Sequence, residues 1–208
     1  MSKKEEHNIN KKQNKKKIIK TAIISIITVL IIAVLCILSI YYMWKKGFFI
    51  PNYVTWNNQS DTFNIGEEVV DFNLQKKELK ITEHDTGVLL YENPGEWLIS
   101  DYFYSDIDSD GKNEVVLVVW KQGSFGEHKP FWYEGKDNKW TQHIFIFKWD
   151  SEKENRLKPI WMSSDIGIKA HKVFVDEKNR IHLIDNKGEE TVWQWLDWGL
   201  TLIQVIKD

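Results

Sequence analysis

An uninterrupted apolar run, Thr21 to Trp44, constrains this chain more than any other feature of its sequence. None of its 24 residues carries a charge. At a rise of about 1.5 Å per helical residue the run reaches roughly 36 Å, which exceeds the thickness of a bilayer's hydrocarbon core, about 30 Å. The run therefore predicts a transmembrane helix over residues 21–44.

The charges that flank the run predict its orientation. Residues 1–20 hold eight lysines and two glutamates, whereas only Lys45 and Lys46 follow closely on the other side. Because lysine-rich flanks stay in the cytoplasm, we expect residues 1–20 to be a cytoplasmic basic tail and the C-terminus to be extracytoplasmic. The tail is polar and poor in aromatic residues, so we expect it to be disordered. Its role is either topology alone or contact with anionic lipid headgroups.

Two kinds of processed leader have a similar start. A signal peptide has an apolar stretch of only about 7 to 15 residues and a small-x-small cleavage site, whereas large residues end the run here. Lipoprotein processing at Cys36 would need a small residue before the cysteine, and this chain has Leu35 there. We therefore favour an uncleaved anchor in the cell membrane, with Cys36 as an apolar residue facing lipid or another helix.

The residues beyond the helix predict one extracytoplasmic β domain. Residues 45–62 mix Gly, Pro, Asn and Ser, as a tether does, and residues 63–208 follow as the domain. Segments rich in β-branched and aromatic residues, separated by turn residues, predict eleven strands. They are Glu68–Phe72, Glu78–Thr82, Gly87–Tyr91, Trp97–Tyr104, Glu114–Trp120, His143–Trp149, Leu157–Met162, Lys169–Val175, Arg180–Ile184, Thr191–Trp195 and Leu200–Val205.

Composition excludes some classes of function for this exterior part. Beyond residue 20 the chain has 20 Lys and Arg against 28 Asp and Glu and no basic run, which argues against nucleic-acid binding. Beyond Cys36 it has no cysteine. Aromatic and aliphatic packing must therefore hold the domain together, with a metal as an additional staple.

The most specific motif is Asp106-Ile107-Asp108-Ser109-Asp110-Gly111-Lys112-Asn113-Glu114, between two predicted strands. Carboxylates at alternating positions can converge on one hard cation, glycine permits the tight turn, and oxygen ligands suit calcium. We expect calcium to be bound by the side chains of Asp106, Asp108, Asp110 and Glu114 and by the backbone carbonyl of Lys112. Its role would be structural. The other interpretation is a solvated Asp-Gly turn.

This loop resembles the FG-GAP or VCBS type of repeat, in which an Asp-rich calcium loop leads into an apolar strand of a β-propeller blade. The resemblance centres on Asp101–Trp120 (DYFYSDIDSDGKNEVVLVVW) and extends weakly to Val173–Ile184 (VFVDEKNRIHLI). In the second unit Asp176 remains, while basic or neutral residues replace most of the other carboxylates. The resemblance implies propeller-like blades and one structural calcium ion, and it leaves open whether the second unit binds metal.

Chain length limits the number of blades. A closed propeller needs about four to eight four-stranded blades, and these residues supply only about two or three. We expect a mainly β chain, with an incomplete propeller-like antiparallel domain after the transmembrane helix. A small β-barrel or a sandwich is the alternative. Open sheets leave edge strands that need cover, which self-association could supply.

A long aromatic loop, Lys121–Trp140, follows the calcium-type unit. Its aromatic rings could stack on the sugars of a cell-wall glycan or bind a partner peptide. Alternatively, Phe131, Trp132 and Tyr133 could pack back on the sheet as a satellite core.

Enzymatic interpretations have less support. The histidines lack the short paired spacing of a zinc site, and Ser124 lacks a Gly-x-Ser-x-Gly elbow. Glu92, Glu96 and Asp101 could supply an acid and a base for glycoside hydrolysis, but most such residues are solvated surface. We therefore predict a membrane-anchored module without catalysis that binds an extracytoplasmic protein or glycan. A cell-wall-acting glycan hydrolase is the alternative.

Overall fold

The computed structural model describes residues 3–126, 128–153 and 155–207, with side chains from residue 15 onward within these ranges. The chain divides into two compact units, Met1–Phe49 and Ile50–Asp208. The first unit contains one helix, α1 (Lys3–Lys45), and the second contains the β-strands.

Helix α1 exposes apolar side chains around its whole circumference. Its part Lys15–Lys45, 31 residues, is long and apolar enough to cross a membrane by length and composition. The exposed fractions of its apolar side chains reach 69% at Ile18 and 65% at Ile37. The hydroxyls of Thr21 and Thr28 donate to backbone carbonyls one turn earlier, so these polar groups are satisfied inside the helix. A helix that is apolar all round is typical of a membrane anchor or signal anchor.

The basic tail is helical where the structure describes it. Helix α1 begins at Lys3, so the prediction of a disordered tail is wrong for residues 3–20. These residues contain neither proline nor glycine, and lysine and glutamate are good helix formers. Because the apolar segment already supplies the helix nucleus, each added residue avoids the cost of nucleation.

Twelve strands follow in the described residues of the second unit. They are β1 (Gln59–Ile65), β2 (Glu68–Gln75), β3 (Glu78–Glu83), β4 (Leu89–Glu92), β5 (Leu98–Ser105), β6 (Glu114–Gln122), β7 (Trp140–Trp149), β8 (Leu157–Met162), β9 (Ala170–Val175), β10 (Ile181–Asp185), β11 (Glu190–Leu196) and β12 (Gly199–Ile206). The eleven predicted strands correspond to β2–β12, with ends that differ by at most three residues.

Strand β1 was not predicted, because its sequence QSDTFNI is polar and lies mostly within the stretch assigned to the tether. Pairing with β2 along its whole length, from Gln59 opposite Leu74 to Ile65 opposite Glu68, makes it a strand. The residues before it also belong to the second unit. Ile50 and Val54 are buried against Trp120, so the predicted tether is packed over this part of its length.

The strands form three four-stranded antiparallel sheets, each made of consecutive strands. Sheet 1 contains β1–β4, sheet 2 contains β5–β8 and sheet 3 contains β9–β12. This meander of four strands is the topology of a propeller blade. The mainly β class is confirmed, and in the described residues the sheets stay open rather than closing into a barrel. Strand β12 is an edge strand with exposed Leu202 and Val205; its cover by self-association stays a prediction.

Sheet 2 lies between the other two sheets, as strand β6 shows. Val115, Leu117 and Val119 pack in a cluster with the apolar residues of sheet 1. Val116 and Val118 pack in a second cluster with those of sheet 3. Because successive side chains of a strand point to opposite faces, a strand buried on both faces needs a continuous apolar run. Burial of each such side chain contributes about 1.5 to 3 kcal/mol.

Candidate metal site

The acidic loop joins β5 to β6 at one end of sheet 2. Its carboxylates accept hydrogen bonds from the loop backbone: Asp108 Oδ1 from the N–H of Asp110 (3.2 Å) and Asp106 Oδ2 from that of Gly111 (3.1 Å). Gly111 has φ +89°, a left-handed conformation that favours glycine. Strand β6 begins at Glu114, which confirms that the loop opens a strand.

Three of the predicted ligands converge. Oxygen atoms of Asp106, Asp108 and Glu114 all lie within 4.8 Å of one another. Glu114 is fully buried, and its Oε2 accepts the N–H of Ile107 at 2.8 Å and that of Asp108 at 3.3 Å. This glutamate therefore ties the start of the loop to the start of β6.

Two carboxylate oxygens in this triad lack a hydrogen bond. Asp106 Oδ1 and Glu114 Oε1 are both buried, and neither is hydrogen-bonded in the described residues. Burial raises the pKa of Glu114, and the negative charge of Asp108 acts in the same direction. An unpaired buried carboxylate oxygen is costly, and a cation that coordinates it removes that cost. The donor set, oxygen only and rich in carboxylates, fits calcium better than zinc.

Lys148 of β7 is a charged neighbour that the sequence analysis missed. Its Nζ lies 2.8 Å from Asp108 Oδ2, 2.5 Å from Asp110 Oδ2 and 3.8 Å from Glu114 Oε1. Hydrogen bonds to Asp108 and Asp110 raise the pKa of Lys148, so it stays charged. No local pattern in the sequence locates Lys148, because it reaches the loop through the β6–β7 register, which pairs Val115 with Phe147 and brings Glu114 beside Lys148.

The two remaining predicted ligands have other contacts. Asp110 is outside the triad; the hydrogen bond from Lys148 and the one from the Lys112 N–H (2.9 Å) lower its pKa. Coordination by Asp110 and by the carbonyl of Lys112 stays a prediction.

In the second repeat-like unit, the carboxylate of Asp176 is paired with a protein cation, Arg180. Asp176 Oδ1 accepts the N–H groups of Lys178 (3.0 Å) and Arg180 (2.9 Å), as in an Asp-rich loop. Its Oδ2 pairs with the Arg180 guanidinium at 2.6 Å and with His182 Nε2 at 3.1 Å. Burial raises the pKa of Asp176, but these hydrogen bonds outweigh it and lower the pKa overall. Arg180 thus supplies the positive charge that a metal would supply.

The aromatic loop was predicted either to bind a partner or to pack on the sheet as a satellite core, and the structure does not show the satellite core. Phe131 and Trp132 are 93% and 71% exposed. Tyr133 packs locally, with its ring 5.1 Å from that of Phe125 and 4.8 Å from Lys129 Nζ. Phe131 and Trp132 thus form an exposed aromatic tip.

The candidate acid and base residues have separate surroundings. Glu92 forms an ion pair with Lys80 at 2.9 Å, and Ser124 Oγ bonds to Asp137 at 3.1 Å. Glu96 is exposed. Asp101 lines a pocket between β5 and β9 that also contains His171.

No protein-family model matches this chain, and no curated protein sequence matches it. The resemblance to FG-GAP or VCBS repeats therefore stays a prediction that depends on the acidic loop and the strand it opens.

Proposed function

We propose that the protein is a single-pass, membrane-anchored extracytoplasmic binding module whose β domain is stabilised by calcium and has no catalysis of its own. The observation that carries the calcium part is the triad Asp106, Asp108 and Glu114, in which the fully buried Glu114 holds an oxygen without a hydrogen bond. Calcium would satisfy this oxygen and offset the repulsion among the carboxylates.

The role of the ion follows from its place in the fold. The triad joins the end of β5 to the start of β6, and β6 is buried on both faces in the middle sheet. A cation here fixes the entry of the strand on which both core clusters depend. Extracellular calcium modules commonly have Kd values of about 10⁻⁴ to 10⁻³ M, and Lys148 already supplies one positive charge, so we expect affinity in that range.

Anchoring is supported by the apolar segment Lys15–Lys45. The lysine excess in residues 1–20 favours a cytoplasmic N-terminus and an extracytoplasmic β domain, where millimolar calcium is compatible with a weak site.

The aromatic tip supports a binding role. Adjacent large aromatic side chains that are mostly exposed are unusual on a domain surface, and aromatic residues are enriched where proteins meet partners. Phe131 and Trp132 stand side by side, with ring centroids 5.0 Å apart in an edge-to-face arrangement. The tip offers two flat apolar surfaces to an extracytoplasmic protein or a cell-wall glycan.

Thermal unfolding of the full chain in non-ionic detergent tests the calcium part. We expect the midpoint to rise when calcium replaces chelator, by an amount that corresponds to about 1.4 kcal/mol at a concentration tenfold above Kd. Asp108→Ala should abolish this response. Asp85→Ala, which removes an exposed carboxylate elsewhere, should retain it. Equal midpoints in calcium and chelator for the unmodified chain would contradict the proposal.

A further inference from the structure

A second polar site lies between sheets 2 and 3, and no residue of the acidic loop lines it. A pocket of about 310 Å³ separates the edge strands β5 and β9. Its lining includes Thr55, Asn57, Asp101, Gln142 and His171. This volume suits a ligand of roughly monosaccharide size.

A β-bulge shapes the β5 wall of the pocket. Ile99 pairs with Val119 and Asp101 with Val118, so Ser100 is an extra residue in β5. The segment before β1 is held against this bulge, because the N–H of Asn57 donates to the carbonyl of Ser100 at 3.0 Å. Bulges change the direction in which a side chain points, and they are common next to functional sites.

The β9 wall is fixed by the middle sheet. The buried Gln142 of β7 bonds to both backbone groups of Ala170, with its Oε1 accepting at 2.8 Å and its Nε2 donating at 3.2 Å. Both walls are thus held by hydrogen bonds to other parts of the domain, and the pocket is preformed.

Asp101 is a half-buried carboxylate that forms no ion pair with a described side chain. Asn57 Nδ2 donates to its Oδ2 at 2.6 Å, and the N–H of Tyr102 donates to its Oδ1 at 2.9 Å. No ion pair to Asp101 is present among the described side chains of residues 15–126, 128–153 and 155–207. Lys172 also lines the pocket, but its ammonium lies over the ring of Phe174, 5.3 Å from the centroid, instead of pairing with Asp101. Burial raises the pKa of Asp101 to about 6, so the carboxylate is ionised at neutral pH at a cost.

The other polar groups of the pocket also include acceptors. His171 Nδ1 lies 2.9 Å from the carbonyl of Asp185 and donates to it, which leaves Nε2 as the remaining polar atom of the ring. The hydroxyl of Thr55 can accept as well. A preformed pocket with a half-compensated anion and further acceptors is complementary to a compact, positively charged hydrogen-bond donor.

We propose that this pocket binds the primary ammonium group of a small ligand, with Asp101 as its counter-ion. The site shares no residue with the acidic loop, so it stands whether or not that loop binds calcium. The ammonium group could be carried by an amino sugar or by an aliphatic amine, and the chemistry at Asp101 is the same for both.

Binding to the full chain in non-ionic detergent and phosphate buffer at neutral pH tests the proposal. The probes are glucosamine, 1,4-diaminobutane and, as the uncharged control, glucose. We expect at least one amine to bind saturably and to raise the unfolding midpoint, whereas glucose should not. A response to glucosamine alone identifies the amino-sugar source, and a response to both amines identifies the ammonium group itself.

Two variants locate the effect. Asp101→Asn should weaken amine binding by about tenfold or more, because a charge-assisted hydrogen bond is lost. Asp85→Asn is the matched control, because it removes one exposed carboxylate elsewhere, and it should bind the amines as the unmodified chain does. Absence of binding by both amines, equal binding by glucose, or unchanged affinity in Asp101→Asn would overturn the proposal. The calcium response is measured separately, in buffer without phosphate because calcium phosphate is poorly soluble, so failure of one site does not decide the other.

Discussion

The ammonium of Lys148 lies 2.8 Å from Asp108 Oδ2, within the same group of carboxylates that we propose to bind calcium. This cation comes from β7, across the β6–β7 pairing, and it neutralises part of the loop when calcium is absent. It would also compete with a bound calcium ion, because two positive charges near one carboxylate repel each other.

Lys148→Gln should therefore increase calcium affinity, by about tenfold, while lowering stability in chelator. Isothermal titration measures the affinity, and thermal unfolding in chelator measures the stability. Lys158→Gln is the matched control, because Lys158 is exposed and stands opposite Lys148 on β8. Equal calcium affinity in Lys148→Gln and the unmodified chain would show that Lys148 does not compete for the site.

Glu114 should make stability depend on pH in opposite ways with and without calcium. Burial raises its pKa above the ordinary value, so without metal its protonated form stabilises the fold at low pH, and this contribution is lost as pH rises through the folded-state pKa. Calcium binds the ionised form and should reverse the trend.

Glu114→Gln should weaken the pH dependence in chelator and remove the calcium response. Midpoints from pH 4 to 8, with calcium and with chelator, measure both effects. Glu96→Gln, an exposed substitution, should change neither. A calcium response that survives in Glu114→Gln would contradict the assignment of Glu114 as a ligand.

Asp101→Asn should stabilise the unliganded protein at neutral pH. Burial raises the pKa of Asp101 in the folded protein to about 6. The protonated side chain therefore stabilises the fold fully below the ordinary pKa of an aspartate, and this stabilisation is lost as the pH rises through about 6. Removing the charge should raise the free energy of unfolding by on the order of 1 to 2 kcal/mol at neutral pH and should change it little at pH 4. Urea unfolding at the two pH values measures this difference. An equal gain in the free energy of unfolding at both pH values would show that the gain does not come from removing an ionised group.

Trp132→Ala should leave stability within about 0.5 kcal/mol of the unmodified chain, because the ring is exposed. Trp120→Ala should instead cost about 3 to 5 kcal/mol, because Trp120 is fully buried against Ile50 and Val54. Chemical denaturation of both variants measures the contrast. A loss of stability in Trp132→Ala similar to that in Trp120→Ala would show that the tip packs in solution and would remove the support it gives to a binding role.

An extracytoplasmic β domain should be reachable from outside intact cells. With Cys36→Ser as background, a cysteine in place of Lys207 should react with a membrane-impermeant thiol reagent. A cysteine in place of Ser2 should react only after permeabilisation. If only the cysteine that replaces Ser2 reacts in intact cells, the proposed topology is wrong.

Local sequence pattern was sufficient for most of the secondary structure. The apolar run predicted the core of α1, and β-branched and aromatic segments between turn residues predicted eleven of the twelve described strands. The continuous apolar run Val115–Val119 matched a strand buried on both faces. Of the four carboxylates predicted to converge before it, those of Asp106, Asp108 and Glu114 do so. These features are encoded by residues close in the chain, where steric preference and periodicity act directly.

Tertiary structure decided what depends on distant residues. Strand β1 is polar and exists because it pairs with β2, and Lys148 reaches the acidic loop only through the β6–β7 register. The position of sheet 2 between two others, and the pocket that Asp101 enters after the bulge at Ser100, depend on contacts among three sheets. A local pattern states which residues favour a strand or a turn. Which strands become neighbours is set by the free energy of burying the apolar faces of all the strands together. That free energy depends on contacts between residues that are distant in the chain.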